Sequence, residues 1–417
     1  MRRRPTRFLA VLAVLGLALA SACTSDDPDE ATDGGDEQTT EASGDSGDSG
    51  DDGGSDGAEE GEFFVQEDYE RQLAQRDVEP EGDAETPWLQ AIEPEEADTA
   101  EFTLDGPGTL CFSNASVSNP WRQTGWITMQ QQVDVLTEEG VIGDFQVADA
   151  ADDDNKQISD IEAFVDSGEC DALIISPSTT ATLTPAVEAA CESGIPVIVF
   201  DRGVNTDCMV TFIHPIGGYA YGADGAEFLV ENLEPGSTVL ALRILPGVDV
   251  LENRWAAAQE IFADSELEIL GDEFTEGDGA TIKDIVTQYL EQGDVDGIWM
   301  DAGDGAVSAL EAFEDAGADY PVFVGEDELS FLRKWDEEGI TAIAPVYSNF
   351  QWRTPILAAQ SIWAGEPVPS EWVLPQDPIT EEDLGDYLER NADMPSLHYA
   401  KFGGEDLPGF PDAWQDR

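Results

Sequence analysis

Lysine is scarce in this 417-residue chain: only Lys156, Lys283, Lys334 and Lys401 occur. With arginine included there are 18 bases against 90 acids, a formal net charge of −72. Phosphate backbones are held by clustered Lys and Arg, so nucleic acid is excluded as a partner. Histidine is scarcer still, with His214 and His398 alone. Without clustered His or thiolates no transition-metal site is legible, and no metal is expected. No Gly-x-Ser-x-Gly elbow joins a strand to a helix, and no Gly-x-x-x-x-Gly-Lys phosphate loop occurs. The chain is therefore read as a non-enzyme that needs no cofactor. Long apolar runs are missing as well. Beyond the first 22 residues nothing is long enough to cross ~30 Å of hydrocarbon.

The N-terminus is the one basic region. Arg2, Arg3, Arg4 and Arg7 precede an apolar run, Phe8–Ala20, which is too short to span a membrane and reads as a signal peptide over residues 1–22. Ala20-Ser21-Ala22-Cys23 resembles a lipoprotein signal-peptidase site, with Cys23 as the acylated residue. The usual leucine three places before the Cys is Ala20 here, and a plain secretory cleavage at Ala-x-Ala is the competing reading. Residues 24–62 hold 16 acids and no base, among Gly, Ser and Thr. They have too little apolar surface to offset chain entropy, so 23–62 is expected to be a disordered tether behind a lipid anchor. The location expected is extracytoplasmic, on the outer face of the cell membrane.

The remaining residues, 63–417, still carry −60. A surface so acidic repels itself less as salt shortens the Debye length from ~8 Å, which points to a saline habitat. Hydrophobic residues at 41% and aromatics at 9% are enough for packed cores, and the length suggests two to three domain-sized units. Export permits disulfides among Cys111, Cys170, Cys191 and Cys208. Three full pairings are open, and Cys111, in an apolar run, reads equally well as a buried free thiol.

Residues 63–104 hold an amphipathic helix candidate, Glu67–Asp77, and a Pro- and acid-rich stretch with Trp88. They are expected to pack on the main body. From Gly108 onward short apolar runs alternate with helical spacing. The strands read as Thr109–Ser113, Phe145–Ala148, Ala172–Ile175 and Pro196–Phe200. The helices between them read as Gln130–Glu139, Ile158–Asp166 and Pro185–Cys191. A second series opens near Gly222. Its strands are Val239–Leu242, Glu268–Leu270, Gly297–Met300, Val322–Val324 and Thr341–Ala344; its helices are Ala223–Asn232, Arg254–Phe262, Ile282–Glu291, Ala306–Ala316 and Leu329–Glu337. Such alternation implies parallel sheets covered on both faces, hence two doubly wound α/β lobes of Rossmann type. Ligands of such sheets bind beyond the carboxyl ends of the strands, so the loops there are the candidates.

Six segments in one order carry a resemblance. They are Ser118–Arg122 (SNPWR), Asp149–Gln157 (DAADDDNKQ), Ala172–Pro177 (ALIISP), Gly194–Arg202 (GIPVIVFDR), Gly297–Leu310 (GIWMDAGDGAVSAL) and Val324–Asp327 (VGED). Over roughly 108–368 the chain is similar to the ribose- and galactose-type periplasmic binding proteins, the type I sugar-binding family. The resemblance implies a two-lobed, hinged fold that captures a monosaccharide or related polyol for the permease and ATPase subunits of an ABC importer, acting as a monomer.

The ligand-binding residues follow from it position by position. Asp201 and Arg202 match the pair that holds the sugar. Their chemistry fits that role, since a carboxylate accepts from vicinal hydroxyls and a guanidinium offers a fixed fork of donors. Asn119, Trp121 and Arg122 follow the first strand; Trp121 stands for an aromatic platform, with a buried core aromatic as the competing reading, and Arg122 replaces a usual Phe, favouring an acidic or furanose sugar or a ligand with a carboxylate. Ser176 matches a position that is often Asn. Asp301 and Asp304 match an Asn-Asp pair, Asp327 a ligand-binding Asp, and Tyr347 a hinge Gln. Glu252 and Gly279 depart from an Arg and an aromatic, and Glu326 and Glu328 are further departures. Trp126 reads as packing and His214 as structural. Asp152–Asp154 lack calcium-loop spacing and read as a solvated helix start.

The expected organisation is lobe 1 over 105–213 and 348–380, lobe 2 over 214–347, and a C-terminal segment over 381–417. Two other readings compete: a sensory or autoinducer-binding lipoprotein of the same fold, and an exported hydrolase.

Overall fold

The computed structural model describes residues 64–410 and 412–415. The expectations for the signal peptide, Cys23 and the acidic tether fall outside the described residues. No helix among the described residues is long and apolar enough to cross a membrane.

The described residues begin with α1 (Gln66–Gln75) and a two-residue strand, β1 (Glu96–Ala97). The first α/β series follows: β2 (Gly108–Asn114), α2 (Pro120–Glu138), β3 (Ile142–Asp149), α3 (Asp154–Ser167), β4 (Ala172–Ser176), α4 (Thr180–Glu192), β5 (Val197–Phe200) and β6 (Thr211–Pro215). The second runs α5 (Gly218–Asn232), β7 (Thr238–Arg243), α6 (Asp249–Ala263), β8 (Glu268–Phe274), α7 (Gly279–Leu290), β9 (Gly297–Met300), α8 (Ala306–Ala316), β10 (Val322–Val324), α9 (Leu329–Glu338) and β11 (Ala342–Ile343). The chain then returns with α10 (Thr354–Ala364), β12 (Val368–Pro369) and β13 (Glu371–Leu374), and ends with α11 (Leu384–Arg390) and α12 (Asp412–Gln415).

Every ladder within the two large sheets is parallel. The first sheet has the order β3-β2-β4-β5-β6-β13 and the second β8-β7-β9-β10-β11. The central strands of each sheet are buried on both faces because helices cover both, as the unbroken apolar runs ALII and VIVF require. The expected pair of doubly wound lobes is what forms. Four main clusters of buried side chains fill them, two per sheet; Leu110, Ile174 and Phe200 belong to one, Leu240, Ile298 and Phe323 to its counterpart.

Some elements differ from their sequence expectation. Helix α2 starts at Pro120, well before Gln130, so Trp121 and Arg122 sit in its first turn and not in a loop. Pro suits that first position because its missing N–H has no helical partner there. Helix α4 starts at Thr180 and carries Pro185 inside it. Strands β6 and β13 have no counterpart in the sequence expectation; both are short, and their side chains alternate or mix in burial instead of forming a continuous apolar run. Ile379 exchanges backbone hydrogen bonds with Ala344, just beyond β11.

The chain closes two disulfides, Cys111–Cys170 and Cys191–Cys208, with Cα separations of 5.7 and 6.0 Å. Cys111 is therefore not a free thiol. Residues 64–104 wrap the body. Helix α1 packs on α5, where the Gln72 amide oxygen accepts from Tyr219 N at 2.9 Å and Arg76 pairs with Asp224 at 2.7 Å. Farther on, Ile92 N donates to Val373 O on the first sheet's edge strand, and the Trp372 indole N–H to Gln90 O. Arg353 ties the extension to the C-terminal residues: its guanidinium lies 4.0 Å from the Trp88 ring centroid and donates to Gly403 O and to Asp406.

Candidate functional site

The site forms where loops beyond the strand ends of the two sheets face each other. Asn119 caps α2, its side-chain oxygen accepting from Arg122 N at 2.9 Å. That cap is worth ~1 kcal/mol and turns the next side chains toward the interlobe space. Trp121 anchors to the hinge through its indole N–H, which donates to Tyr347 O at 3.0 Å. Arg122 forms a buried ion pair with Asp201, Nη2 to Oδ2 at 2.7 Å, both side chains about 5% exposed.

Asp201 is the pivot. It follows β5 with φ +72°, a left-handed conformation that Asp tolerates better than most residues. Ser176 Oγ donates to its Oδ2 at 3.4 Å, and the Tyr347 hydroxyl donates to its carbonyl at 2.9 Å. Beside it Arg202 donates to Ser178 O at 2.6 Å. Burial and the neighbouring Arg122 charge both push the Arg202 guanidinium below its ordinary pKa.

The second lobe contributes Arg254, Asp304 and Glu326. Arg254 projects from α6 with its guanidinium 3.8 Å from the Tyr221 ring centroid and 5.0 Å from that of Tyr347, and donates to the Asp301 carbonyl oxygen. Glu326 Oε2 accepts from Gly303 N at 2.8 Å. Burial raises the Glu326 carboxyl to about 8, against the pull of Arg254, and raises Asp304 to about 6. At neutral pH Glu326 therefore keeps its proton and offers an O–H donor as well as an acceptor.

These groups line a cavity of about 120 Å³, together with Ile244, Leu245, Val248, Val250 and Leu251 as an apolar wall. Among the described residues, two buried donors in it, Arg122 Nη1 and Arg254 Nε, have no hydrogen-bond partner. A buried donor left unpaired costs ~1–3 kcal/mol, which a ligand oxygen would recover. Fixed donors, acceptors of both lobes and an apolar wall suit a ring with hydroxyls on its edge and C–H groups on its face.

Of the residues singled out in sequence, Asn119, Trp121, Arg122, Asp201, Arg202, Asp304 and Tyr347 line this cavity. Ser176 stands behind it, bonded to Asp201. Asp301 is fully buried: its Oδ1 accepts from Ile244 N at 2.9 Å and steadies the apolar loop, while burial raises its carboxyl to about 7. Asp327 points elsewhere. Its Oδ2 accepts from Lys401 N at 2.7 Å and its carbonyl from Ala400 N, so it fastens the C-terminal segment. The neighbouring Glu326 takes the cavity position instead.

Arg254 is the residue that sequence reasoning missed. Its signal was an Arg on a helix face otherwise buried through Trp255, Ala257, Ala258 and Phe262. Glu252, which stands where an Arg was expected, pairs with Arg243 and does not line the cavity. Gly279 approaches Ser308 at the start of α7. Trp126 stacks with Phe112 and Phe145 at centroid distances of 6.0 and 6.3 Å, a packing role. Asp153 caps α3 by accepting from Lys156 N at 3.0 Å. No cluster of three or more His, Cys, Asp or Glu with metal-holding geometry occurs among the described residues.

Two parallel α/β lobes joined by repeated crossings, with polar loops of both facing one cavity, define a two-lobed binding protein. The chain belongs to the periplasmic binding protein domain family, whose model matches residues 110–366. The ribose import binding protein of Bacillus subtilis (strain 168) is 30% identical over 178 residues, 42% of this chain. The match spans only 56% of that relative's length. Among solved structures, an ABC transporter solute-binding protein from Thermobispora bispora superposes with a TM-score of 0.62 at 21% identity, covering 73% of this chain and 96% of that one. The binding component of the arabinose ABC transporter from Shewanella sp. ANA-3, bound to α- and β-L-arabinofuranose, gives 0.60 at 20%, covering 68% and 96%. At those identities the likeness concerns the fold.

Proposed function

We propose that this chain binds a sugar ring or related polyol outside the cytoplasm and delivers it, as a lipid-anchored monomer, to the permease and ATPase of an ABC importer. The observation that supports this most is the buried Arg122–Asp201 pair with Arg202, set across a small cavity from Arg254, Glu326 and Asp304. Hydroxyls of one ring can reach donors and acceptors on both lobes, so ligand favours the conformation in which the lobes are together, and that conformation is the one a permease can distinguish. The similar proteins named above for ribose import and for an arabinose transporter agree with this reading.

A thermal-shift screen against pentoses, hexoses, polyols and sugar acids tests it. Ligand at 100 times its dissociation constant adds ~2.7 kcal/mol of stability, a rise of several degrees for a body of this size. Arg254→Met, which keeps much of the volume and removes the charge, should abolish the shift. A panel without a single stabilising member would refute sugar capture. The anchor is tested separately: membrane fractionation of the protein expressed in a bacterial host should lose it to the soluble fraction on Cys23→Ser.

A further inference from the structure

The cavity just described is not the whole space between the lobes. A second chamber of about 280 Å³ adjoins it, and the two share Asp201, Arg202, Val248, Val250 and Tyr347 as common walls. The Arg202 side chain, held by Ser178 O, stands at the partition. The far walls of the chamber are polar: Thr180 at the start of α4, His214 on β6, Glu371 on β13, and Arg71 with Gln72 from α1. His214 Nε2 lies 3.2 Å from Glu371 Oε1, and Arg71 lies 3.5 Å from the same carboxylate, which the His214 contact holds below its ordinary pKa. Apolar surface interrupts them at Ile216 and at the Phe212 ring, which packs on His214 at a centroid distance of 4.3 Å. Helix α1 precedes the family-matched residues 110–366, so the chamber owes part of its wall to a segment outside the family domain.

We propose that the ligand is a two-ring sugar, with one ring between Arg122 and Arg254 and a glycosidically linked second ring in the chamber beside Phe212. The inference rests on the sugar-capture reading. A space more than twice the size of the first, contiguous with it and lined by hydroxyl, imidazole, carboxylate and amide groups around one aromatic face, repeats the chemistry that suits a first ring.

Isothermal titration calorimetry of the mature protein tests this with two probe sets. The first holds D-ribose, L-arabinose, D-galactose, D-glucose and D-fructose; the second holds maltose, cellobiose, lactose, melibiose, sucrose and arabinobiose. At least one disaccharide should bind tenfold or more tighter than either of its component monosaccharides. Thr180→Trp, which fills the chamber from a partly exposed helix start, should weaken that disaccharide tenfold or more and leave the component monosaccharide within twofold. Glu371→Ala, whose side chain is exposed, should weaken the disaccharide in the same selective way without touching the core. Monosaccharides that bind while no disaccharide binds tighter would overturn the two-ring proposal and leave sugar capture standing. So would a Thr180→Trp protein that loses both classes equally. Silence from both probe sets would overturn both readings together.

Discussion

Replacing Asp201 by Ala tests the centre of the site through stability alone. Its carboxylate is 2.7 Å from Arg122 Nη2, and each side chain is about 5% exposed, so solvent screening is slight. With an effective dielectric of ~20 the Coulomb attraction at that distance is about 6 kcal/mol, most of it offset by the desolvation of both ions. Removal of one member leaves the Arg122 guanidinium buried and uncompensated beside Arg202, a cost of ~3–5 kcal/mol. Ala also accepts φ +72° poorly, adding ~1–2 kcal/mol. Asp201→Asn retains the backbone tolerance and so isolates the charge. The assay is urea unfolding of the apo protein at pH 7 for Asp201→Asn, Arg122→Met and the double variant. The coupling energy should exceed ~2 kcal/mol, the double variant being more stable than the sum of the singles requires. Additivity within ~0.5 kcal/mol would refute the claim that these two residues form one buried unit.

Three further outcomes follow from the same structure. Burial raises Glu326 to about 8, Asp301 and Glu328 to about 7, and Asp304 and Asp327 to about 6, all above the ~4 of an unfolded carboxyl. The native state thus binds more protons than the unfolded one between pH ~4 and 8, and the stability tied to these groups is full below pH ~4 and is lost as pH rises through the folded values of about 6 to 8. Melting in 1 M salt, where surface charge is screened within ~3 Å, should show a higher Tm at pH 5 than at pH 8; the reverse order would contradict the buried acids. Removing the Cys111–Cys170 pair as Cys→Ser, a separation of 59 residues, should cost more than removing Cys191–Cys208, a separation of 17, with upper values of ~4 and ~3 kcal/mol in the chain-entropy view; equal midpoints in denaturant titrations would speak against it. Gly222→Ala should destabilise by more than ~2 kcal/mol and weaken ligand binding, because a Cβ there would overlap the Arg254 carbonyl oxygen where α5 crosses α6, and backbone cannot rotate aside. A Gly222→Ala protein with wild-type melting would show that the crossing is looser than described.

The alternation of short apolar strands with helical spacing determined the two parallel sheets by itself, because a strand buried on both faces must be apolar at every position and a covering helix at every third or fourth. Adjacent residues beyond a strand end were equally legible: Asp201 and Arg202 follow VIVF, and a strand delivers its next residues to the sheet's edge whatever the rest does. Tertiary structure alone decided what depends on distance between remote segments. The choice of Glu326 over Asp327 turns on which of two neighbours beyond β10 faces the cavity and which meets Lys401. The role of Arg254 depends on Tyr221 and Tyr347, which reach it from another helix and from the hinge. The disulfide pairing depends on which cysteines lie within about 6 Å of each other, Cα to Cα. The part played by α1 at the chamber wall depends on Gln72 finding the α5 backbone. In each case several partners were chemically eligible, and only packing, which admits one arrangement at native density, selected among them.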